Sequence, residues 1–438
     1  MGKVDLGKYM EALNNVSTCQ LKGRISQAIG LTLEASGPQV KLGELCYIKT
    51  NHTGRQLVPS EVVGFKDKKI LLMPLGNLEG IGPGSELLAT GSTLKVQVGM
   101  QLQGRVLNGL GETIDERGGI NSKLTYPVMN SPPSPLKRQR ITQVMPVGVK
   151  AIDGLITVGK GQRIGIMSGS GVGKSTLIGM IARNTEADIN VIALIGERGR
   201  EVRDFLEKDL GDEGLAKSVV VVATSDQPAM VRLKGAFVAT SIAEYFRDQG
   251  MDVLLLMDSL TRFALAQREV GLAIGEPPAT RGYTPSVFAL LPKLLERAGN
   301  AEKGSITGLY TVLVEGDDMN EPVTDAVRGI VDGHIVLSRN MAALNLYPAI
   351  DIAHSISRVM VDIATPEHMA DANRFRSILA TYEEAKDLID IGAYKKGSNP
   401  RIDEAITLID NSYAFLRQGI KEQTSFTDTL QALHNSIN

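Results

Sequence analysis

The 438-residue sequence has no tryptophan and only two cysteines, Cys19 and Cys46. Two cysteines cannot form a disulfide framework, so we expect a reducing, cytoplasmic environment. No uninterrupted apolar run reaches the roughly 18 residues that suggest a membrane helix, and the first residues lack the apolar block of a secretory signal. The five histidines show no metal-binding spacing, so we expect them to be structural or surface groups.

Neither sign of charge predominates, because 47 basic side chains are balanced by 49 acidic ones. A protein that binds bulk nucleic acid needs a clustered excess of positive charge. Aromatic residues make up only 4% of the chain, and residues 18–90 offer few of them, Tyr47 and Phe65, on which bases could stack. We therefore predict no nucleic-acid partner.

The sequence pattern divides the chain into four segments. Residues 1–17 have apolar side chains near helical spacing and predict an amphipathic helix, which either packs on the chain itself or docks a partner. Short strands broken by glycine in residues 18–90 are typical of a small β-barrel or sandwich. Residues 91–366 predict an α/β domain and residues 367–438 a helical domain. The loop "NSPPSPLKRQR" is either a linker or a solvated loop that crosses between domains.

Five short apolar runs carry the fold prediction for the central domain. The runs "RIGIMS", "VIALIG", "VVVVAT", "VLLLMD" and "LYTVLV" have little polar interruption and alternate with segments of helical periodicity. Strands of a parallel sheet covered by helices on both faces have this composition. The fold class is therefore α/β, with a P-loop (RecA-like) core, an N-terminal β-barrel and a C-terminal α-helical domain.

The stretch "SGSGVGKS" follows the first of these runs and opens a helix. Its glycines let successive N–H groups point at phosphate oxygens, and the helix start adds its positive dipole end. Lys174 would reach the β- and γ-phosphates, while the Ser175 hydroxyl would bind Mg²⁺, so ATP and Mg²⁺ are the expected cofactors. The usual first glycine is Ser168 here, and a small residue can shape the same turn. We assign nucleotide contacts to Ser168, Gly169, Ser170, Gly171, Val172, Gly173, Lys174, Ser175 and Thr176.

Carboxylates follow two other apolar runs. Asp258 ends "VLLLMD" and would hold Mg²⁺, usually through water. Glu197 lies just beyond "VIALIG", at the sheet edge where ligands of parallel sheets bind, and is the candidate base that aligns the attacking water. Arg198 would then lie near the phosphates, and Glu201 is a possible outer carboxylate for Mg²⁺. From spacing alone, "ERGREVRD" could equally be a solvated charged loop.

Three longer stretches resolve that ambiguity: "GERGREV", "DSLTRFALAQREVGLAIGEPPATRGYTPSVFALLPKLLERAG" and "YPAIDIAHSISR". Together they resemble the hexameric ATPases of the rotary ATP synthase α/β family. The middle stretch is most similar to the branch that energises type III protein export, and within it to the flagellar export ATPases. The resemblance extends over nearly the whole chain.

The resemblance implies a role for each candidate residue. Glu197 matches the family's catalytic glutamate, Arg198 its phosphate-sensing arginine and Asp258 its Mg²⁺ carboxylate. Tyr347 matches the tyrosine that stacks on adenine. Arg358 matches an arginine finger that acts on the nucleotide of the neighbouring subunit, which implies a homohexameric ring.

The same resemblance implies partners and a location. They are a regulatory stator protein at the N-terminal segment, chaperone–cargo complexes and a membrane export gate, with the ring cytoplasmic and peripheral at the inner face of the membrane. An acidic stretch would either meet a stalk-like export component at the pore or be a plain solvated loop. Its acidic residues are Glu315, Asp317, Asp318, Glu321 and Asp325.

We therefore expect the ATP-hydrolysing subunit of the flagellar export apparatus, which couples hydrolysis to chaperone release and export. The alternatives are a catalytic subunit of a rotary ATP synthase or ion pump, an RNA-dependent hexameric translocase and a regulatory subunit without turnover. The balanced charge disfavours the translocase, and Glu197 disfavours the inactive subunit.

Overall fold

The computed structural model describes residues 20–50, 56–314, 316 and 318–438, and the helix predicted at residues 1–17 lies outside them. The chain divides into two compact units. One contains residues up to Leu94 together with Val270–Glu276, and the other contains Lys95–Glu269 and Pro277–Asn438.

Six strands of the first unit close into an antiparallel barrel, in the order β1-β2-β5-β4-β3-β6. Side chains alternate between the inside and the outside, so that Leu33, Cys46 and Ile48 are fully buried in its core. The predicted N-terminal barrel is thus confirmed. Its strands are β1 (Lys22–Ile29), β2 (Thr32–Ser36), β3 (Glu44–Lys49), β4 (Leu57–Lys66), β5 (Lys69–Pro74) and β6 (Glu86–Thr93).

The second unit is built on a largely parallel sheet. In the described residues its strand order is β17-β16-β10-β15-β13-β11-β12-β8, and β14 pairs with β15. A separate antiparallel pair is formed by β7 (Lys95–Gln97) and β9 (Thr125–Pro127). The sheet strands are β8 (Val106–Asn108), β10 (Arg163–Ser168), β11 (Ile189–Ile195), β12 (Ser218–Ala223), β13 (Asp252–Asp258), β14 (Gly299–Asn300), β15 (Ser305–Leu313), β16 (Gly333–Leu337) and β17 (Ile350–Ser357).

The helices of the second unit cover this sheet and continue to the end of the chain. The long helix Ala229–Asp248 is buried along most of its length, as expected for a helix that is apolar on nearly every side. The α-helices are Lys150–Leu155, Lys174–Asn184, Gly199–Asp204, Gly211–Ala216, Ala229–Asp248, Leu260–Ala273, Pro285–Leu295, Pro322–Ile330, Arg339–Ala343, Met360–Ile363, Pro366–Asp390, Pro400–Leu416 and Phe426–Ser436, with a π-helical segment at Phe205–Leu210 and 3₁₀ turns at Met100–Leu102, Pro135–Lys137 and Thr280–Gly282.

The C-terminal helices share one hydrophobic core with the sheet domain. The rings of Phe375 and Phe415 pack edge to face with centroids 5.4 Å apart, and Phe415 also reaches Gly154 of the helix Lys150–Leu155. None of the described helices is long and apolar enough to cross a membrane.

Two strands differ from the simple alternation that the sequence predicts. The glycine-rich stretch near residue 106 supplies the parallel edge strand β8, and β17 runs antiparallel to β16 at the opposite edge. Residues 130–140, interpreted from the sequence as a linker or a solvated loop that crosses between domains, are mostly exposed, but they do not connect the two units. They lie within the second unit, where Arg138 donates hydrogen bonds to the carbonyls of Glu296 and Ala298.

Candidate nucleotide-hydrolysis site

The glycine-rich loop joins the end of β10 to the helix Lys174–Asn184. Gly171 and Gly173 have φ values of 79° and 90°, a left-handed conformation that glycine adopts without strain. No side chain caps this helix, so its first N–H groups are left to an external acceptor. A helix start of this kind is an anion-binding site, and a phosphate fits it.

Lys174, Asp258 and Glu197 converge at the carboxyl edge of the sheet. Asp258 is the last residue of β13. Glu197 lies two residues after Ile195, which is the last residue of β11. The Lys174 Nζ lies 2.5 Å from Asp258 Oδ1 and 3.7 Å from Glu197 Oε1. All three side chains are at least five-sixths buried. The structure therefore brings together the residues that the sequence selects from three separate strand ends.

The environment of Glu197 favours its protonated form. Burial is the main cause that raises its pKa to about 7, and the charge of Asp258 adds to the increase, although Lys174 opposes it. A hydrogen bond between Glu197 and Glu201 raises the pKa of Glu197 further and lowers that of Glu201. Glu197 therefore titrates near neutral pH, which is the range that suits a candidate general base.

The remaining polar candidates lie at the margin of this cluster. Arg198 is largely exposed, and its Nη1 is 3.5 Å from Glu201 Oε1. Ser175 is exposed at the start of the helix, and Thr176 is half-buried beside it. Arg198 and Ser175 are thus accessible to a phosphate chain from the solvent side.

Tyr347 lies beside the glycine-rich loop. A Cβ atom on Gly173 would come within 4.0 Å of the Tyr347 ring, and the side chain is partly exposed. Its carbonyl accepts a hydrogen bond of 2.9 Å from the N–H of Gln418, in the helical region. The ring is therefore placed where it can stack on a base whose phosphates occupy the loop.

Arg358 lies at the other end of the sheet. It follows the last residue of β17, and its backbone N–H donates to the carbonyl of Asp332. Asp332 in turn donates its N–H to the carbonyl of Arg163, the residue where β10 begins. The P-loop begins about five residues further along β10, or about 16 Å away. Its own chain therefore does not bring Arg358 to Lys174.

Two residues of the site were missed from the sequence. Thr311 on β15 donates a 2.8 Å hydrogen bond to Asp258 Oδ1, and a polar residue inside the apolar run "LYTVLV" was the available signal. Arg262 lies one helical turn after Asp258. A Cβ on Gly196 would clash with it at 2.7 Å, and its buried Nε has no hydrogen-bond partner among the described residues.

The oxygen ligands at this edge suit Mg²⁺. Asp258 and Glu201 provide carboxylates and Ser175 a hydroxyl, which are hard oxygen donors. No group of three or more His, Cys, Asp or Glu side chains among the described residues could hold a metal by itself. Mg²⁺ characteristically binds through one or two carboxylates and the substrate's phosphates, so the residues present fit this ion.

The fold and the site together define a P-loop nucleoside triphosphatase. Three family models match the chain: the ATP synthase alpha/beta family β-barrel domain at residues 25–91, the nucleotide-binding domain of the same family at residues 148–357, and the T3SS EscN ATPase C-terminal domain at residues 364–435.

Curated relatives match at high identity. The flagellum-specific ATP synthase of Bacillus subtilis (strain 168) is 56% identical over 94% of each chain, and that of Treponema pallidum (strain Nichols) is 52% identical over 98% of this chain and 96% of the relative. The type 3 secretion system ATPase of Xanthomonas euvesicatoria is 51% identical over 94% of this chain and 93% of the relative.

Solved structures agree with these matches. The assembled ATPase EscN from the enteropathogenic E. coli type III secretion system has a TM-score of 0.90 and 46% identity, and the match covers 95% of this chain and all of that one. The chain belongs to the family of flagellum-specific and type III secretion ATPases, within the ATP synthase α/β family. The predicted family, fold class and class of enzyme, an ATPase, are confirmed.

Proposed function

We propose that the chain hydrolyses ATP in a homohexameric ring of the flagellar export apparatus, and that hydrolysis drives chaperone release and protein export. One observation carries the proposal: Lys174, Asp258 and Glu197 meet at the head of a glycine-rich loop, with Glu197 holding a pKa of about 7. A phosphate-binding loop without such a carboxyl would suit a nucleotide-binding protein without turnover.

Each residue has a distinct task in this reaction. The loop N–H groups and Lys174 bind and orient the phosphates, so that the terminal phosphorus faces Glu197. Glu197, in its ionised form, orients the attacking water and accepts its proton. Asp258, Ser175 and Glu201 would hold Mg²⁺, which supplies positive charge to the phosphate oxygens. Tyr347 stacks on the adenine, and Arg198 contacts the phosphates.

The positive charge that the transition state needs would come from a second copy of the chain. Arg358 is exposed, and its guanidinium has neither a hydrogen bond nor an ion pair with any described residue. Terminal phosphate transfer spreads negative charge over the equatorial oxygens, which an arginine stabilises. A ring in which each copy lends Arg358 to the next site satisfies both observations, and the assembled EscN relative supports it.

The acidic stretch is the proposed site of a stalk-like partner, with one correction. Asp318 is partly exposed and pairs with Arg281 at 2.7 Å, whereas Glu321 is buried and accepts hydrogen bonds from Tyr283 and Thr324. Glu321 is thus a structural residue, contrary to its expected part in a partner surface. Glu315 and Asp317 lie outside the described residues. A solved structure of EscN with its central stalk EscO supports a stalk partner.

The other partners are proposed on family membership. A stator protein would dock on residues 1–17, which lie outside the described residues. Chaperone–cargo complexes and a membrane export gate would complete the machine, with the ring cytoplasmic and peripheral at the membrane.

The deciding experiment measures ATPase rate per subunit against protein concentration, with the mass of the assembly measured in parallel. Because Lys174 and Arg358 lie at opposite ends of the sheet, the rate per subunit should rise steeply where the monomer assembles. A dilute sample that is monomeric by mass and hydrolyses ATP at the full rate would contradict the shared site.

A further inference from the structure

Thr311 lies between the two strands that supply the phosphate loop and the metal carboxylate. Its strand, β15, pairs with β10 on one side and β13 on the other. Tyr310 is in register with Met257, so Thr311 is at the level of Asp258, the next residue of β13. The side chain is 1% exposed, which fixes its hydroxyl inside the sheet edge.

The hydroxyl of Thr311 has one strong acceptor. Its Oγ1 is 2.8 Å from Asp258 Oδ1 and 3.3 Å from the Met257 carbonyl. A hydroxyl donates one proton, and the charged, closer carboxylate is the better acceptor. The branched Cβ restricts the rotamer of Thr311, so that this bond is held with little freedom.

Asp258 Oδ1 also accepts a hydrogen bond from Lys174, and this second bond is lost when Lys174 binds the nucleotide's phosphates. Lys174 belongs to the phosphate loop, and its ammonium binds the nucleotide's phosphates under the proposed function. Once Lys174 has turned to a phosphate, Thr311 is the remaining side-chain donor to Asp258 among the described residues. Oδ2 accepts no hydrogen bond from a described residue and is left for the metal's shell.

We propose that Thr311 is a positioning residue that keeps the Asp258 carboxylate oriented for Mg²⁺ while Lys174 transfers to the nucleotide. The inference rests on the proposed function, since it concerns the same site. It predicts that the Thr311 hydroxyl affects Mg²⁺-dependent binding and has no effect on binding of the nucleotide itself.

The test compares Thr311→Val, which removes the hydroxyl at nearly constant shape, with Thr311→Ser, which keeps it. Thr307→Val is the matched control, because Thr307 lies on the same strand, is fully buried and accepts a 2.9 Å hydrogen bond from the Gly161 N–H, far from Asp258. The Mg²⁺ concentration for half-maximal binding of a non-hydrolysable ATP analogue is measured, and binding is repeated in EDTA.

The Mg²⁺ concentration for half-maximal binding should be at least about tenfold higher in Thr311→Val, since a hydrogen bond to a charged group is lost. Thr311→Ser and Thr307→Val should stay within about twofold of the parent chain, and binding in EDTA should be the same for all four proteins. The ATP turnover of Thr311→Val should be closer to that of the parent chain at saturating Mg²⁺ than at limiting Mg²⁺.

An unchanged Mg²⁺ requirement in Thr311→Val would overturn the proposal. An equal increase of the Mg²⁺ requirement in Thr311→Ser would overturn it too, because it would indicate packing by the γ-methyl group. If Thr311→Val does not fold, Thr311→Ala takes its place, and the ratio of its Mg²⁺ requirement to that of the parent chain decides. Failure of the proposed function is separate: the parent chain would then bind the Mg²⁺ complex without turnover, while the comparison of Mg²⁺ requirements would still hold.

Discussion

Two cations at opposite ends of the central sheet, Lys174 and Arg358, have different surroundings. At the carboxyl end, Lys174, Asp258 and Glu197 are buried and make contacts with one another. At the amino end, Arg358 is exposed, and within the described part of the chain only its backbone N–H is bonded, to the carbonyl of Asp332. The first end is the proposed triphosphate site, whereas the second presents a guanidinium that no described residue of its own chain binds. The difference supports the proposal that the site is completed by contact between copies.

Burial explains why the carboxyl end is built so tightly. Moving charges from water into a protein costs several kcal/mol per ion, unless geometry and hydrogen bonds compensate. Lys174 compensates Asp258 through a direct bond, while Glu197, which is further from Lys174, responds with a raised pKa. The site thereby gains a base near neutral pH at some cost in stability, a usual feature of active sites.

The largest predicted effect concerns the exposed arginine. Arg358→Ala should lower kcat by about 10³–10⁵, as the loss of an arginine finger does, with ATP affinity nearly unchanged. Mixing Arg358→Ala with Glu197→Gln should restore part of the activity. Some sites of the mixed ring would then combine Glu197 from one copy with Arg358 from the next. Turnover of the mixture is compared with that of each variant alone.

Arg401→Ala is the control for this experiment, because Arg401 is also exposed but lies on the helix Pro400–Leu416. It should match the parent chain. A mixture that is no more active than its components would place Arg358 outside the shared site, provided that mass measurements show mixed assemblies.

The second prediction concerns the pH dependence of the buried end. Glu197 must be ionised to accept a proton, and its pKa is about 7. The value of kcat/KM should therefore rise about tenfold per pH unit below this pKa and level off above it. Glu197→Gln should lower kcat by about 10²–10⁴ and abolish this limb. Initial rates between pH 5.5 and about 8.5 give the profile.

Two further measurements sharpen this prediction. Glu201→Gln should move the acid limb to lower pH, because Glu201 is one of the groups that raise the pKa of Glu197. The folded chain also binds the Glu197 proton more tightly than the unfolded chain, whose pKa stays near 4.5. The free energy of unfolding should thus decrease as the pH rises from about 4.5 to 7. Because the variant has no carboxylate to bury, Glu197→Gln should have a higher Tm than the parent chain above pH 7. A lower Tm there would contradict the assignment.

Local pattern was sufficient for much of this site and insufficient for the rest. Lys174 stands in a loop with its own signature, and Asp258 and Glu197 follow apolar runs whose parallel pairing brings strand ends together. Thr311 acts through a bond to a residue 53 positions away, which spacing along the chain does not encode. The edge strand β8 has three residues, too few for a periodic pattern. The burial of Glu321 could not be predicted, because the polar residues around it in the sequence are typical of an exposed loop.

The smallest predicted effects concern the acidic stretch, where one acid is buried and another is exposed, as at the two ends of the sheet. Glu321→Ala should destabilise the fold by about 1–3 kcal/mol, because it removes the acceptor of the Tyr283 and Thr324 hydroxyls. Asp318→Ala should leave both Tm and ATPase rate nearly unchanged, since its pair with Arg281 is open to solvent. It should instead weaken binding of a basic stalk-like partner, measured by titration with the intact chain. Equal losses of Tm in the two variants would show that Asp318, like Glu321, serves the fold rather than a partner.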